Sequence, residues 1–395
     1  MNSRKLEAVA LLYIVVWTVS PPLQLDMIYR LLALGCAALL FLLNGLKMTT
    51  EQKIATVFVV LVAISAFISS RSLSGVVGQI AVYLLFLGYL MNSWYADDWD
   101  KFRWLIPVVL LLLAFWNFRS ATMLATDASA ARVIIRDTKE AQDYLRSGVG
   151  GYGLLYCQVC VSPAMLGWTL NAWKPSKFRF LCGAVWAVTF YWFLWEAGYT
   201  IAIFAAVAGL AVLFFYKDKN VIPALVISIV LVVLIIYLIC YNDTVRNFLL
   251  KTFDGTKVAW KIQDITDTVN TGETADSITA RIDRYTLSLK TMLQYPIIGS
   301  WWAGGHGGHS ALLDAFALYG WAGGYIYLRM VFAAPFVWKK RAQSRHTMRV
   351  LNATIVTMAF VTLFDSAPYN LVMTMTVILP ILLNDIEKWR VKEKA

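Results

Sequence analysis

Apolar residues along this chain gather in runs of about 17–25, the length of a helix that crosses a hydrocarbon layer roughly 30 Å thick. The runs lie near residues 6–22, 28–46, 53–69, 75–92, 102–118, 151–172, 178–195, 198–216, 221–241, 309–337, 347–365 and 370–385. They predict an all-α polytopic membrane protein with about twelve transmembrane helices. A single integral-membrane domain over residues 1–395 is expected. Most polar breaks between runs are short. Two are long, about 119–150 and 242–308.

Composition supports the class. Hydrophobic residues make up 59% of the chain and charged residues only 15%, whereas a soluble domain carries about a quarter charged residues. In a soluble protein the formal charge of +11 would suggest nucleic acid. Here it reads as cytoplasmic loops beside anionic lipid head groups, with no nucleic-acid partner. Lysine and arginine orient the chain. With the N-terminus in the cytoplasm, Lys101 and Arg103, Lys174, Lys177 and Arg179, Lys217 and Lys219, the Lys339-Lys340-Arg341 cluster and the basic tail all fall inside. Both long loops then face outward. The first run follows Arg4 and Lys5 without a small-residue cleavage site, and reads as an anchor.

Several chemistries are not signalled. The five cysteines sit in apolar runs. Cys157 and Cys160 have CxxC spacing but no further ligands nearby, so they read as small residues on one face of a buried helix. No Walker, dinucleotide or zincin motif appears, and no metal or cofactor is expected. If the outer loops catalyse a synthesis, its energy must arrive in an activated substrate. On the outer face of a bacterial membrane, a lipid-linked diphosphate fits that need.

The first long loop carries Arg132, Arg136 and Lys139 at helical spacing, which would share one face. Arg146 follows, just before the glycine run Gly148–Gly153. The functional reading is a cationic patch with backbone open to phosphate, and the plainer one a solvated amphipathic helix with a flexible join. The second loop is polar and weakly patterned from Asn242 to Glu273. From Asp276 the pattern becomes helical. Asp276 or Ser277 caps the start, Ile278, Ile282, Tyr285, Leu289, Met292 and Leu293 recur on one side, and Pro296 and Gly299 end it. Arg281, Arg284, Ser288 and Thr291 decorate the other side. Such a helix is expected to lie on the outer membrane surface, its arginines at head-group depth.

Trp301-Trp302 then reads as a depth anchor. The loop Gly304-Gly305-His306-Gly307-Gly308-His309 leads into the tenth span. His309, at the junction, suits proton acceptance near neutral pH, and His306 ranks second. Ionisable residues within or beside spans deserve a functional reading. Asp314, Asp365 and Glu196 are expected to ring the His309 level and bind sugar hydroxyls. Arg329 lies deeper, and His346 reads as a solvated cytoplasmic residue.

His309-Ser310, then nine residues, Gly320, two residues and Gly323 together resemble the signature of the O-antigen polymerase and O-antigen ligase superfamily. Arg281 ahead of Pro296-Ile297-Ile298-Gly299 is similar to that family's outer-loop arginine before a Pro-x-x-Gly element. The wording His309-Ser310-Ala311-Leu312-Leu313-Asp314 looks closer to polysaccharide polymerases than to ligases. The resemblance implies a metal-independent glycosyltransferase with a GT-C-like fold in the bacterial cytoplasmic membrane. It would join undecaprenyl-diphosphate-linked oligosaccharide repeat units for O-antigen or capsule on the outer face. It also implies a flippase and a chain-length regulator as partners. By that resemblance His309 and Arg281 are catalytic, and Arg281 stabilises the departing diphosphate together with Arg284 or a first-loop arginine, Arg132, Arg136 or Arg146. A ligase acting on a lipid A-core acceptor and a non-catalytic lipid or glycan transporter are the alternatives.

Overall fold

Helix occupies most of the described part of each apolar run. The computed structural model describes residues 3–43, 48–68, 74–95, 100–127, 130–134, 138–216, 220–254, 258–259, 262–263, 266–267, 276–301, 305–365 and 369–392. Among these residues no strand occurs. Five helices are long and apolar enough to cross a membrane: Leu105–Thr126, Tyr152–Ala172, Lys177–Ala197, Val221–Tyr241 and Arg345–Phe364. Shorter apolar helices include Met27–Leu43 and Thr200–Phe215. This is an all-helical protein suited to a lipid bilayer.

Tyr152–Ala172 is the central helix. It packs against Lys177–Ala197, Thr200–Phe215, Arg345–Phe364 and Tyr369–Lys392, and nearly all of its side chains are buried. Pro163 interrupts its ladder, because proline cannot donate to the Val159 carbonyl. The Ser162 hydroxyl donates to that carbonyl instead, at 3.0 Å. Cys157 and Cys160 lie buried within this helix as free thiols. A reciprocal amide pair ties it to its neighbour. Asn117 Nδ2 donates to Gln158 Oε1 at 2.9 Å, and Gln158 Nε2 donates back to Asn117 Oδ1 at 2.7 Å. Trp186 Nε1 also donates to Gln158 Oε1, so three helices share one satisfied polar knot.

Buried carboxylates gather at two ends. At one end the Asp385 carboxylate is fully buried and accepts from Arg103 Nε, from Arg179 Nη1 at 3.1 Å and from Trp168 Nε1 at 3.2 Å. Glu387 accepts from the backbone N–H and hydroxyl of Ser344. Asn171 bonds His346 Nε2 at 2.7 Å, so His346 is half-buried and held rather than simply solvated. Every basic residue of this group was assigned to the cytoplasmic side by charge. His309, Asp314, Asp365 and Tyr156 gather at the other end. Eighteen residues separate His346 from Phe364, about 27 Å of helix, close to the thickness of a hydrocarbon core.

Several sequence expectations need correction. Leu105–Thr126 runs past residue 118 with Ser120, Ala121 and Leu124 buried, so the first long loop begins near Asp127. Arg132 and Lys139 do not share a helix face. Ala130–Val133 is a single turn, and Thr138 is extended and caps a new helix, Lys139–Arg146, by accepting from the Ala141 N–H. Arg136 and the Arg132 side chain lie outside the described residues. The stretch after Asn242 is not featureless, since Asp243–Thr252 is a helix whose Val245 N–H bonds the Asn242 side chain. The predicted span 309–337 is two helices, Ala311–Val331 and Ala333–Arg341. Pro335 has no N–H to extend the first ladder, and it fits the first turn of the second.

The largest correction concerns Asp276–Gln294. Its limits match the sequence pattern, yet it does not stand apart as a surface helix. It packs lengthwise on Ala311–Val331. Arg284 pairs with His309, Ser288 with Asp314, and the Pro296 carbonyl with the Trp321 N–H. Numbers rise together on both partners, so the two helices run parallel. Ser300 and Gly305–His309 lie back along the same helix, with Ser300 N–H on the Ala317 carbonyl and Thr291 Oγ1 on the Gly305 carbonyl. The polar side, with Ser288 and Thr291 buried, faces protein. The apolar stripe of Ile282, Leu289 and Leu293 faces outward, together with Ile297 at 79% exposure.

That hairpin fits into a break in Ala311–Val331. Gly320 has φ 68° and ψ −175°, which no helix allows. The break frees the Ala317 carbonyl and the Trp321 N–H. Ser300 N–H and the Pro296 carbonyl take them up, at 2.9 and 2.7 Å. An interrupted helix in a bilayer survives only when such groups are satisfied by protein.

Candidate active site

The parallel register of the two helices brings the second-loop residues together. Arg284, on the helix Asp276–Gln294, places Nη1 2.8 Å from His309 Nε2. A guanidinium only donates, so Nε2 accepts and the imidazole proton sits on Nδ1. That bond favours the neutral imidazole. Its pKa is lowered, first by burial, then by the positive charges of Arg284 and Arg281, while Asp314 opposes them. Arg281 lies one turn before Arg284 and is half-buried. Its charge reaches His309, Tyr156 and Tyr285. Among the described residues Arg281 makes no hydrogen bond or ion pair with protein.

Two carboxylates flank this pair and are engaged by protein. Asp314 Oδ1 accepts from the Ser288 hydroxyl at 2.5 Å and from Gly308 N–H at 3.3 Å, while Oδ2 accepts from Ser310 N–H at 3.2 Å. Asp365 accepts from the Tyr156 hydroxyl at 2.8 Å, and its backbone carbonyl accepts from Ala311 N–H at 2.9 Å. Both aspartates were expected to bind sugar hydroxyls; in the structure their oxygens accept from the loop and the neighbouring helices. The Tyr285 hydroxyl donates to the Phe364 carbonyl at 2.6 Å, closing the cluster against the end of Arg345–Phe364.

Tyr156 belongs to an aromatic group that sequence reasoning missed. Its ring lies 4.3 Å from that of Tyr152 and stacks on Tyr199 at 6.1 Å. Tyr156 and Asp365 are 209 residues apart, so no local pattern announces the pair. Tyrosines recurring at i and i+4 ahead of a buried span were the available hint.

The remaining candidates make contacts of their own. Glu196 accepts from Trp192 Nε1 at 3.3 Å at the end of Lys177–Ala197. Arg146 is exposed and pairs with Asp143 at 3.8 Å, and its helix packs against Pro21–Leu25. The glycine run after it is filled by protein. A Cβ on Gly148 would meet the Trp116 ring at 2.3 Å, and one on Gly151 would meet Ile134 at 2.4 Å. Those glycines permit close side-chain packing rather than an open phosphate cradle. His306 is half-buried in the returning segment. Deeper in Ala311–Val331, Arg329 lies over the Phe336 ring at 5.2 Å. Among the described residues no cluster of three or more His, Cys, Asp or Glu has metal-binding proximity.

The arrangement brings together two guanidiniums and an imidazole. Guanidiniums suit a diphosphate, and a neutral imidazole suits a hydroxyl proton. Compared with known proteins, the chain matches no family model, and no curated sequence matches it.

Proposed function

We propose that this protein is a polysaccharide polymerase that joins undecaprenyl-diphosphate-linked repeat units on the outer face of the bacterial cytoplasmic membrane. The observation that carries this reading is the convergence of Arg281, Arg284 and neutral His309, with Arg281 free of any described protein counter-ion. The His309-Ser310…Gly320…Gly323 spacing supports it, since Gly320 makes the helix break that receives the hairpin. Ile297 and Ile298 at the hairpin tip are exposed and suit lipid, so the hairpin reads as re-entrant with His309 at head-group level. With that topology about twelve helices cross the bilayer.

The chemistry follows from the site. The acceptor hydroxyl oxygen attacks the anomeric carbon of the donor glycan. The bond from that carbon to phosphate breaks, and the undecaprenyl diphosphate leaves with the electron pair. Arg281 and Arg284 stabilise the charge that develops on it. When Arg284 turns to the diphosphate it uncovers His309 Nε2, which takes the hydroxyl proton. No nucleotide enters the balance.

Purified protein supplied with a lipid-linked repeat unit, a chelator and no nucleotide is expected to form polymer. An absolute need for ATP or a divalent metal would reject the mechanism. Product that forms only when lipid A-core is added would assign the chain to ligases. Sidedness has its own check. In a background without native cysteines, Lys139→Cys and Thr252→Cys should react with an impermeant thiol reagent on spheroplasts, and Gln343→Cys should not. Labelling of Gln343→Cys from outside would place the His309 cluster on the wrong face.

A further inference from the structure

We propose that Asp314 and Ser288 form a clamp that positions His309 against Arg284, so that Asp314 is a positioning residue and not a sugar ligand. This rests on the polymerase reading for its catalytic consequence, but its geometry stands without it. Ser288 lies one turn after Arg284 on the same helix, and Asp314 lies in the first turn of Ala311–Val331. The Ser288 hydroxyl donates to Asp314 Oδ1 and accepts from Gly307 N–H at 2.8 Å. Asp314 takes the N–H groups of Gly308 and Ser310. The residues on both sides of His309 are thus tied to two helices, which leaves the imidazole facing Arg284.

The fit allows little slack. Gly307 lies against the Arg284 backbone, where a Cβ would come within 2.0 Å of the Arg284 carbonyl oxygen. Ser310 caps the next helix by accepting from Leu313 N–H at 3.1 Å. Ser288 and Asp314 are both buried, at 1% and 8% exposure, and their shared bond sets the register of the two helices. That register fixes the Arg284–His309 distance. Catalytic groups gain most from such rigid support, because small misplacements are costly to rate.

The clamp also has an electrostatic signature. The charges that act on His309 are Arg281 and Arg284 from the preceding helix and Asp314 from the following one. Only the carboxylate favours the imidazolium. A purely structural residue would not change the titration of His309 when replaced by its isosteric amide.

The test is histidine-selective NMR on the full-length protein in detergent micelles, where only three histidines are present. His306→Ala and His346→Ala assign the signals. Asp314→Asn is expected to lower the His309 midpoint, with the His346 signal at the far end unchanged as a control for folding. Ser288→Ala keeps the charge, so its midpoint should stay, but the Nε2 resonance should lose the shift produced by Arg284. In the polymerisation assay Ser288→Ala should lower kcat by roughly tenfold or more with KM retained. An unchanged midpoint in Asp314→Asn, or a wild-type Nε2 resonance in Ser288→Ala, would overturn the clamp. The NMR arm needs no substrate. If it succeeds and wild-type protein makes no polymer, the clamp stands and the polymerase reading falls.

Discussion

His309→Ala is expected to yield an inserted, normally melting protein that transfers glycan about 10²–10⁴ times more slowly, the range that a positioned general base supplies. The imidazole contributes little to packing, since its neighbours are held by Ser288 and Asp314 rather than by the ring. Loss of rate therefore need not come with loss of fold. His306→Ala should be milder, because the proton acceptor bonded to Arg284 is His309. Arg281→Lys belongs with His309→Ala, because lysine keeps the charge but loses the bidentate fork. The pH dependence has a definite sign. Burial and two arginines lower the His309 pKa below its ordinary 6.5, so the base form persists through neutral pH. Activity should hold as pH falls to that value and drop only below it. Initial rates with a lipid-linked repeat unit check all of this. A polymer ladder from His309→Ala at the wild-type rate would remove the residue from the mechanism.

The two ends of the second-loop helix were legible because a cap, a periodic stripe and Pro296 are local signals. Its environment was not. Periodicity separates a polar face from an apolar one but does not say which of them meets protein. In water the apolar face turns inward, whereas here Ile282, Leu289 and Leu293 face outward and Ser288 is buried. An outward apolar stripe of this kind suits a lipid surface rather than water. His309 could be singled out because a histidine in a glycine loop beside a span is unusual. Arg284 could be placed on its helix face, but its pairing with His309 needed the parallel register. Tyr156 with Asp365 lay beyond reach for the same reason. The glycines of Gly148–Gly153 left two readings open in the sequence. Glycine allows close approach by any group, and here Trp116 and Ile134 fill the space that a ligand would need.

Gly320→Ala should be the most damaging of the small substitutions. At φ 68° and ψ −175° the residue occupies a region essentially reserved for glycine, and a side chain there costs about 1–3 kcal/mol in backbone strain. Space is lacking as well. A Cβ would stand 2.3 Å from the Ile297 carbonyl oxygen, which is backbone and cannot swing aside. The hairpin tip must then withdraw from the helix break, leaving the Trp321 N–H and the Ala317 carbonyl without Pro296 and Ser300. Each such group left unmade adds about 1–3 kcal/mol. Withdrawal of the tip also disturbs the register that sets Arg284 against His309. Gly320→Ala should therefore lose both thermal stability in detergent and glycan transfer, whereas His309→Ala loses transfer alone. Gly35→Ala is the matched control, because nothing lies within 4 Å of its added Cβ and alanine favours helix over glycine by about 1 kcal/mol. A wild-type melting temperature for Gly320→Ala would mean that the hairpin does not seat in the break, and with it would go the register that brings the two arginines to His309.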